Sequence, residues 1–124
     1  MSSGVHYWEI KVDKISENDG IMLGIAVKGA ELSRKLFESG KFWGWMCAGG
    51  QALYPDLSNH GKVTVKSYGR DTIKQGDTVG IIFEFKNGKG HLTYLKNGNS
   101  LGICFKDIPA GNYLPAAILY YGEV

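Results

Sequence analysis

The side chains best suited to metal binding or nucleophilic catalysis are few in this chain and far apart. Three histidines occur, His6, His60 and His91, and none has a cysteine or a second histidine within five residues. The two cysteines, Cys47 and Cys104, lack C-x-x-C spacing and lie in apolar runs, where a cysteine behaves as a small buried hydrophobe. The sequence therefore predicts two reduced thiols and no metal site.

Carboxylates are equally scattered. Asp77 comes directly before an apolar strand, where we expect it to bond backbone amides of the preceding turn. Glu84 and His91 are expected to face each other across a hairpin, which accounts for both as a cross-strand pair. Neither the P-loop nor the dinucleotide fingerprint occurs. The prediction is that the chain is not an enzyme and uses no cofactor.

Aromatic side chains are the richer candidates for function. The chain contains three Trp, seven Tyr and five Phe, more than the core of one small domain absorbs. Tyr54 ends a short strand directly before Pro55, and Tyr120 and Tyr121 are adjacent, so that within a strand they point to opposite faces. Tyrosine suits a half-hydrated binding surface, and we expect some of these rings to lie on one.

Composition describes one domain, residues 1–124, with mixed surface charge. This length buries a core without metal or disulfide support. A net charge of +2 with interspersed signs argues against nucleic acid or a membrane surface as a partner. The sequence has no N-glycosylation sequon, no signal peptide and no membrane-length apolar run. We expect a monomeric domain of an intracellular protein, cytoplasmic or nuclear.

Two Asn-Gly pairs mark the elements that must position these residues. Such a pair is the strongest short-range hairpin signal, because both turn residues need positive φ. Counting outward from Asn87-Gly88 sets Ile81 opposite Tyr94, and counting from Asn97-Gly98 sets Tyr94 opposite Leu101. The two counts agree on one apolar face of a three-stranded meander. Its predicted members are Ile81, Phe83, Phe85, Leu92, Tyr94, Leu101, Ile103 and Phe105.

The rest of the chain also reads as short strands separated by turns. Alternation within 62–68 predicts that Val63 and Val65 face inward. Residues 30–39 alone have helical spacing, so at most one short helix is expected. The fold prediction is all-β, a two-sheet antiparallel β-sandwich of the concanavalin-like kind. The remaining predicted strands are 6–12, 21–27, 41–50, 51–57 and 113–121.

Six blocks of the sequence resemble, in order and spacing, the signature blocks of the SPRY domain family. The resemblance extends from Gly4 to about Glu123, and the K-N-G-x-x-L-G hairpin is its most specific part. It implies a β-sandwich that serves as a non-catalytic protein-interaction module, an adaptor or scaffold part of a larger multidomain protein such as a ubiquitin-ligase receptor. The blocks are GVHYWEIKV, LGIAV, WGWMCAGG, GDTVGIIFEF, GHLTYLKNGNSLGICF and YLPAAILYYGE.

The resemblance also implies a binding surface in loops at one end of the sandwich, for a peptide segment or a folded protein. In the SOCS-box branch of the family the pocket uses a tyrosine that matches Tyr54 and the turn that matches Val27 and Lys28. Its third wall matches the segment from Tyr120 through Tyr121 to Gly122. An arginine that this branch uses upstream of the first block has no counterpart here, and neither has a final strand after the last block. We therefore expect either a trimmed fragment of a larger protein or a sheet edge that is completed differently, and we do not transfer the peptide specificity of that branch.

A lectin-like carbohydrate-binding sandwich is the alternative function. Surface aromatics and Asn-rich turns would suit sugars. The absence of a signal peptide and of clustered Asp and Asn for calcium argues against it. A glycan array and a peptide array on the same domain distinguish the two functions.

Overall fold

The computed structural model describes residues 3–12, 20–29, 41–46, 50–56, 62–68 and 76–120, with backbone only at 20, 21, 56, 62, 63 and 118–120. Every regular element in these ranges is a β-strand. The strands are β1 (Val5–Lys11), β2 (Gly20–Val27), β3 (Phe42–Met46), β4 (Gln51–Asp56), β5 (Lys62–Ser67), β6 (Thr78–Lys86), β7 (Lys89–Lys96), β8 (Asn99–Ile108) and β9 (Tyr113–Tyr120).

The strands form two antiparallel sheets, each within its own compact unit. The four-stranded sheet has the order β1-β6-β7-β8, and the five-stranded sheet has the order β5-β4-β3-β2-β9. The all-β prediction with two antiparallel sheets is confirmed. Residues 30–39, for which the sequence predicts at most one short helix, lie outside the described residues.

The four-stranded sheet is organised by its two Asn-Gly turns. Asn87 and Gly88 have φ of 53° and 78°, and Asn97 and Gly98 have φ of 50° and 84°, as a tight hairpin turn requires. The first predicted register is confirmed along the whole β6–β7 ladder, from the pair next to the turn to Val79↔Lys96.

One face of this sheet is a packed apolar layer. Alternate residues of β6 and β7 are fully buried, and burial of each such side chain contributes about 1.5–3 kcal/mol. Gly90 is required by the packing, because a Cβ there would come within 2.6 Å of the Phe83 ring. The fully buried members are Val79, Ile81, Phe83, Leu92 and Tyr94, joined from β8 by Phe105 and Ile108.

The second predicted register is wrong beyond its first residues. The structure pairs Lys96 with Asn99 as predicted, but Leu92 lies opposite Phe105 rather than Ile103. Three irregularities in the β7–β8 ladder cause the shift, since each bulge adds one residue to β8. Gly102, with φ of 93°, lies in this region. Ile103 consequently pairs with Thr93 on the opposite face and is 50% exposed.

The five-stranded sheet is apolar on both faces of its central strands. Trp43 and Trp45 share one face, and both are buried. The other face carries a cluster in which Gly24 keeps β2 close to β3, because a Cβ there would overlap the carbonyl oxygen of Trp43. That cluster consists of Met22, Ala26, Phe42 and Leu53, with Met46 and Ala116 packed against it.

The prediction that Val65 faces inward is wrong, since this side chain is 50% exposed. β5 is an edge strand of its sheet and contacts only β4 in the ladder, so alternation along it does not bury both valines. The side chain of Val63 is not described.

Candidate functional site

The turn after β2 supplies the first part of the predicted surface. The backbone N–H of Val27 donates to the carbonyl oxygen of Lys41 at 2.9 Å, which holds the ends of β2 and β3 together. Lys28 follows at an exposed turn position, and Gly29 has φ of 89°, a conformation that favours glycine. The Lys28 side chain is therefore presented to solvent at this end of the five-stranded sheet.

Tyr54 lies in β4 at the same end of that sheet. It pairs with Thr64 of β5, and its neighbour Leu53 pairs with Gly44 of β3. This register sets Tyr54 level with Trp43, which in turn pairs with Ile25 of β2, two residues before Val27. β3 lies between β4 and β2, so the backbones of β4 and β2 are two strand spacings apart, about 10 Å. The structure thus brings Tyr54 near the Val27–Lys28 turn.

The Tyr54 ring is half-buried and flanked by a cation. The Lys66 Nζ lies 6.0 Å from the ring centroid, at the outer limit of a cation–π contact. The described charged side chains of the five-stranded unit are Lys28, Lys41 and Lys66, all exposed. The described part of this surface is therefore aromatic and cationic.

Tyr113 and Trp43 form the apolar support beside this surface, and sequence reasoning missed this role. Tyr113 pairs with Val27, and its ring meets that of Trp43 edge to face at 5.7 Å between centroids. Burial raises the pKa of the Tyr113 phenol above its usual value. Alternation along β9 could have predicted the face on which the Tyr113 ring lies only if the pairing of β9 with β2 had been known.

The structure does not bring Tyr120 to the same end. Tyr120 pairs with Gly20 at the start of β2, whereas Val27 at its end pairs with Tyr113. Seven residues at about 3.3 Å per residue separate the two levels by about 23 Å. Tyr121 and Gly122 lie outside the described residues.

A serine motif that sequence reasoning missed has no catalytic geometry. Residues 98–102 read Gly-Asn-Ser-Leu-Gly, the spacing of the nucleophile elbow. That elbow requires a strand-to-helix turn, whereas here Gly98 closes a β-hairpin and Ser100 lies in β8. The Ser100 Oγ accepts a hydrogen bond from the Gly102 N–H at 3.2 Å. Ser100 therefore supports the start of an irregular strand.

Asp77 also has a structural role. Its Oδ1 accepts a hydrogen bond from the Asn97 Nδ2 at 3.0 Å, and its carbonyl oxygen accepts one from the Val12 N–H at 2.9 Å. Within the described ranges, no group of three or more His, Cys, Asp or Glu side chains is placed to hold a metal ion. Cys104 is buried and forms no disulfide, as predicted, while Cys47 lies outside the described residues. No helix in the described part of the chain is long and apolar enough to cross a membrane.

The described residues thus form two antiparallel sheets, with an aromatic and cationic surface at one end of the five-stranded sheet. Residues 5–124 match the family model of the SPRY domain, which covers nearly all of the sequence. The chain belongs to the SPRY domain family, a family of protein-interaction modules that are generally non-catalytic.

Relatives with curated names are large proteins of which this chain matches a small part. Ran-binding protein 9 of Danio rerio is 27% identical over 121 residues, 98% of this chain and 19% of that protein. Ran-binding protein 10 of Danio rerio is 25% identical over 98% of this chain and 18% of its own length. The chain thus spans about a fifth of the curated relatives it matches.

A solved structure shows the same fold. The crystal structure of the SPRY domain of human HERC1 superposes with a TM-score of 0.73 at 15% identity. The superposition covers 98% of this chain and 70% of that one. At this identity the likeness establishes the fold alone.

Proposed function

We propose that this domain binds a peptide segment or a partner protein through the end of the five-stranded sheet that carries Val27, Lys28 and Tyr54. The observation that carries the proposal is the position of Tyr54, half-buried beside Lys66 and level with the residues that precede the β2 turn. A rigid ring supported in this way provides contact area at low conformational cost, which is typical of binding hot spots. The exposed Lys28 adds a charge at the rim.

Tyr120, Tyr121 and Gly122 remain in the proposal as a second part of the surface. Tyr120 is seven positions along the β2–β9 ladder from Val27. A partner that contacts both parts would have to run along β9, the edge strand of this sheet. An extended peptide fits this requirement, since edge strands accept extended segments.

We further propose that the domain is the recognition part of a larger intracellular protein, of the adaptor, ubiquitin-ligase-receptor or scaffold type. Support comes from the curated relatives, which are about five times longer than the matched region and whose names state that they bind Ran. We also propose that it acts in the cytoplasm or the nucleus, and its similarity to Ran-binding proteins supports this.

The test begins with affinity capture by the purified domain, identification of captured proteins by mass spectrometry, and titration of each purified candidate. Tyr54→Ala should weaken binding of a true partner about 30-fold, the effect of losing a hot spot of about 2 kcal/mol. Lys28→Ala, an exposed change that leaves folding intact, should weaken it in the same direction. Lys106→Ala, an exposed lysine of the other sheet, is the control.

The proposal also assigns Tyr121 a contact, so Tyr121→Ala should lose affinity while its melting temperature stays close to that of the parent. Unchanged affinity in the Tyr54 and Lys28 variants would refute the proposed surface at this sheet end. If Tyr54→Ala does not fold, the affinity of Lys28→Ala for the partner decides whether this sheet end is the binding surface.

A further inference from the structure

The exposed apolar side chains of the four-stranded unit are concentrated on one face of its sheet. Val5 is 64% exposed, Tyr7 53% and Ile103 50%, and these are three of the five large hydrophobic side chains exposed in the described part of the chain. The other two, Val65 and Leu114, lie on opposite edge strands of the five-stranded sheet. Single exposed hydrophobics are ordinary, whereas a group on one face indicates an interaction surface.

The strand register arranges this group as a continuous row. Tyr7 pairs with Ile82, Ile82 with Thr93, and Thr93 with Ile103, so one residue of each strand lies in line across the sheet. Directly paired residues share a face, and the row spans three strand spacings, about 14 Å. Tyr7, Ile82, Thr93 and Ile103 form this exposed row.

Tyr7 is held in place at one end of the exposed row. Its hydroxyl donates to the Glu9 Oε1 at 2.6 Å. Its ring lies over Gly80, where an added Cβ would be 2.9 Å from the Tyr7 Oη and 3.3 Å from the Leu95 Cβ. The ring therefore rests on the sheet beside Leu95, so binding loses little of its rotational freedom.

The charged residues that β1, β6 and β7 place on the face of the exposed row are three lysines and two glutamates, a net charge of +1. The carboxylate of Glu9 accepts the Tyr7 hydroxyl, and that of Glu84 lies 3.8 Å from the Lys86 Nζ. Lys11 and Lys89, on the same face, have no ion pair or hydrogen bond among the described residues. Lys11 and Lys89 are each four residues along their strand from a member of the row, a distance of about 13 Å. The two lysines lie on opposite sides of the row.

We propose that the exposed row is a second protein-docking surface, which takes an amphipathic α-helix of a partner with acidic residues on both flanks of its apolar stripe. A helix pitch of about 5.4 Å is close to the strand spacing of about 4.8 Å, so successive turns meet successive strands along the row. A helix radius of about 5–6 Å and the flexible lysine side chains bring its acidic flanks to Lys11 and Lys89.

A second copy of this chain fits the face less well. Face-to-face docking would oppose the lysines of one copy to the lysines of the other, and these outnumber the glutamates of the face, of which Glu84 already lies 3.8 Å from the Lys86 Nζ. Addition of a strand would use the edge of β1 or β8 rather than the row across the face. Charge complementarity therefore selects an acidic amphipathic helix.

The test uses two fluorescent designed helical peptides with the same apolar stripe, one with glutamate flanks and one with lysine flanks. Anisotropy titration should show binding of the glutamate peptide at least tenfold tighter than of the lysine peptide, with a preference that falls as salt rises. Ile103→Ser should weaken binding of the glutamate peptide about 30-fold. Val65→Ser is the matched control, since both side chains are 50% exposed and β-branched.

A Lys11→Glu and Lys89→Glu double variant should reverse the preference between the two peptides, with an unchanged melting temperature because both positions are exposed. Tyr54→Ala should not affect either peptide, which separates this surface from the proposed one on the five-stranded sheet. Equal binding of the two peptides, or equal effects of Ile103→Ser and Val65→Ser, overturns the inference. So does concentration-dependent dimerisation that Ile103→Ser abolishes, because a second copy would then occupy the face.

Discussion

Replacement of Asn97 by glycine should destabilise the domain clearly more than the same replacement of Asn87. Both residues occupy the first position of an Asn-Gly hairpin turn with almost the same φ, 50° and 53°. Only Asn97 uses its side chain across the fold: its Oδ1 accepts from the Thr78 N–H at 2.8 Å, and its Nδ2 donates to Asp77 at 3.0 Å. The described part of the chain shows no side-chain hydrogen bond for Asn87.

The magnitude follows from what the two replacements share. Glycine adopts positive φ without strain, so neither variant loses its turn, and both carry the same extra unfolded-state entropy of about 0.5–1 kcal/mol. The difference isolates two exposed hydrogen bonds, each with a net contribution of about 0.5–1.5 kcal/mol. Because both bonds are exposed, their contributions fall in the lower part of this range, and we expect Asn97→Gly to lower the free energy of unfolding by about 1–2 kcal/mol more than Asn87→Gly. At 124 residues this corresponds to about 4–8 °C in melting temperature.

Urea unfolding followed by tryptophan fluorescence measures both variants against the parent, and calorimetry gives the melting temperatures. Asn97→Asp is an additional probe, because it keeps an acceptor for Thr78 but replaces the donor to Asp77 with a second carboxylate. The free energy of unfolding of Asn97→Asp should lie between those of Asn87→Gly and Asn97→Gly, or below both if repulsion between the two carboxylates exceeds the contribution of the retained bond. Equal losses for Asn97→Gly and Asn87→Gly, within about 0.3 kcal/mol, would show that these bonds contribute nothing and refute the reasoning.

Three further results are expected. In urea unfolding, Gly24→Ala should destabilise the domain by about 3 kcal/mol or more, because the new Cβ would overlap the Trp43 backbone. Gly29→Ala, whose Cβ would lie in open space, should cost only about 1 kcal/mol, and similar losses in the two variants would contradict the close approach of β2 and β3. Burial raises the pKa of Tyr113, so the neutral phenol favours the folded state, and this stability is present below about pH 10 and lost as pH rises past the raised pKa. The free energy of unfolding of Tyr113→Phe should therefore decrease less than that of the parent between about pH 9 and 11. If the two proteins lose stability in parallel over this range, ionisation of Tyr113 does not contribute to the loss. Unfolding without reductant should release two titratable thiols per chain, and Cys104 should react with a thiol reagent only when the domain opens; rapid labelling of the folded protein would contradict its burial.

Part of the candidate site could be predicted from the residues and part could not. A tyrosine before a proline at a strand end predicts a rim position, and Tyr54 is indeed half-buried near the end of β4. The family resemblance predicts Tyr120 beside Tyr54, but the structure pairs Tyr120 with Gly20, at the other end of β2 from Val27. Pairing between strands about a hundred positions apart leaves no local signal in either strand.

The sequence by itself determined the local features of this protein: where the chain reverses, which strands are half-buried, and the complete register of β6 with β7. These follow from interactions within a few residues, such as the positive φ of an Asn-Gly turn and side-chain alternation with period two. Tertiary structure alone decided which distant strands pair and where a ladder is interrupted. The first bulge in β8 moved Ile103 from the predicted buried face to the exposed row, because one extra residue in a strand reverses the side of the residues that follow it up to the next bulge.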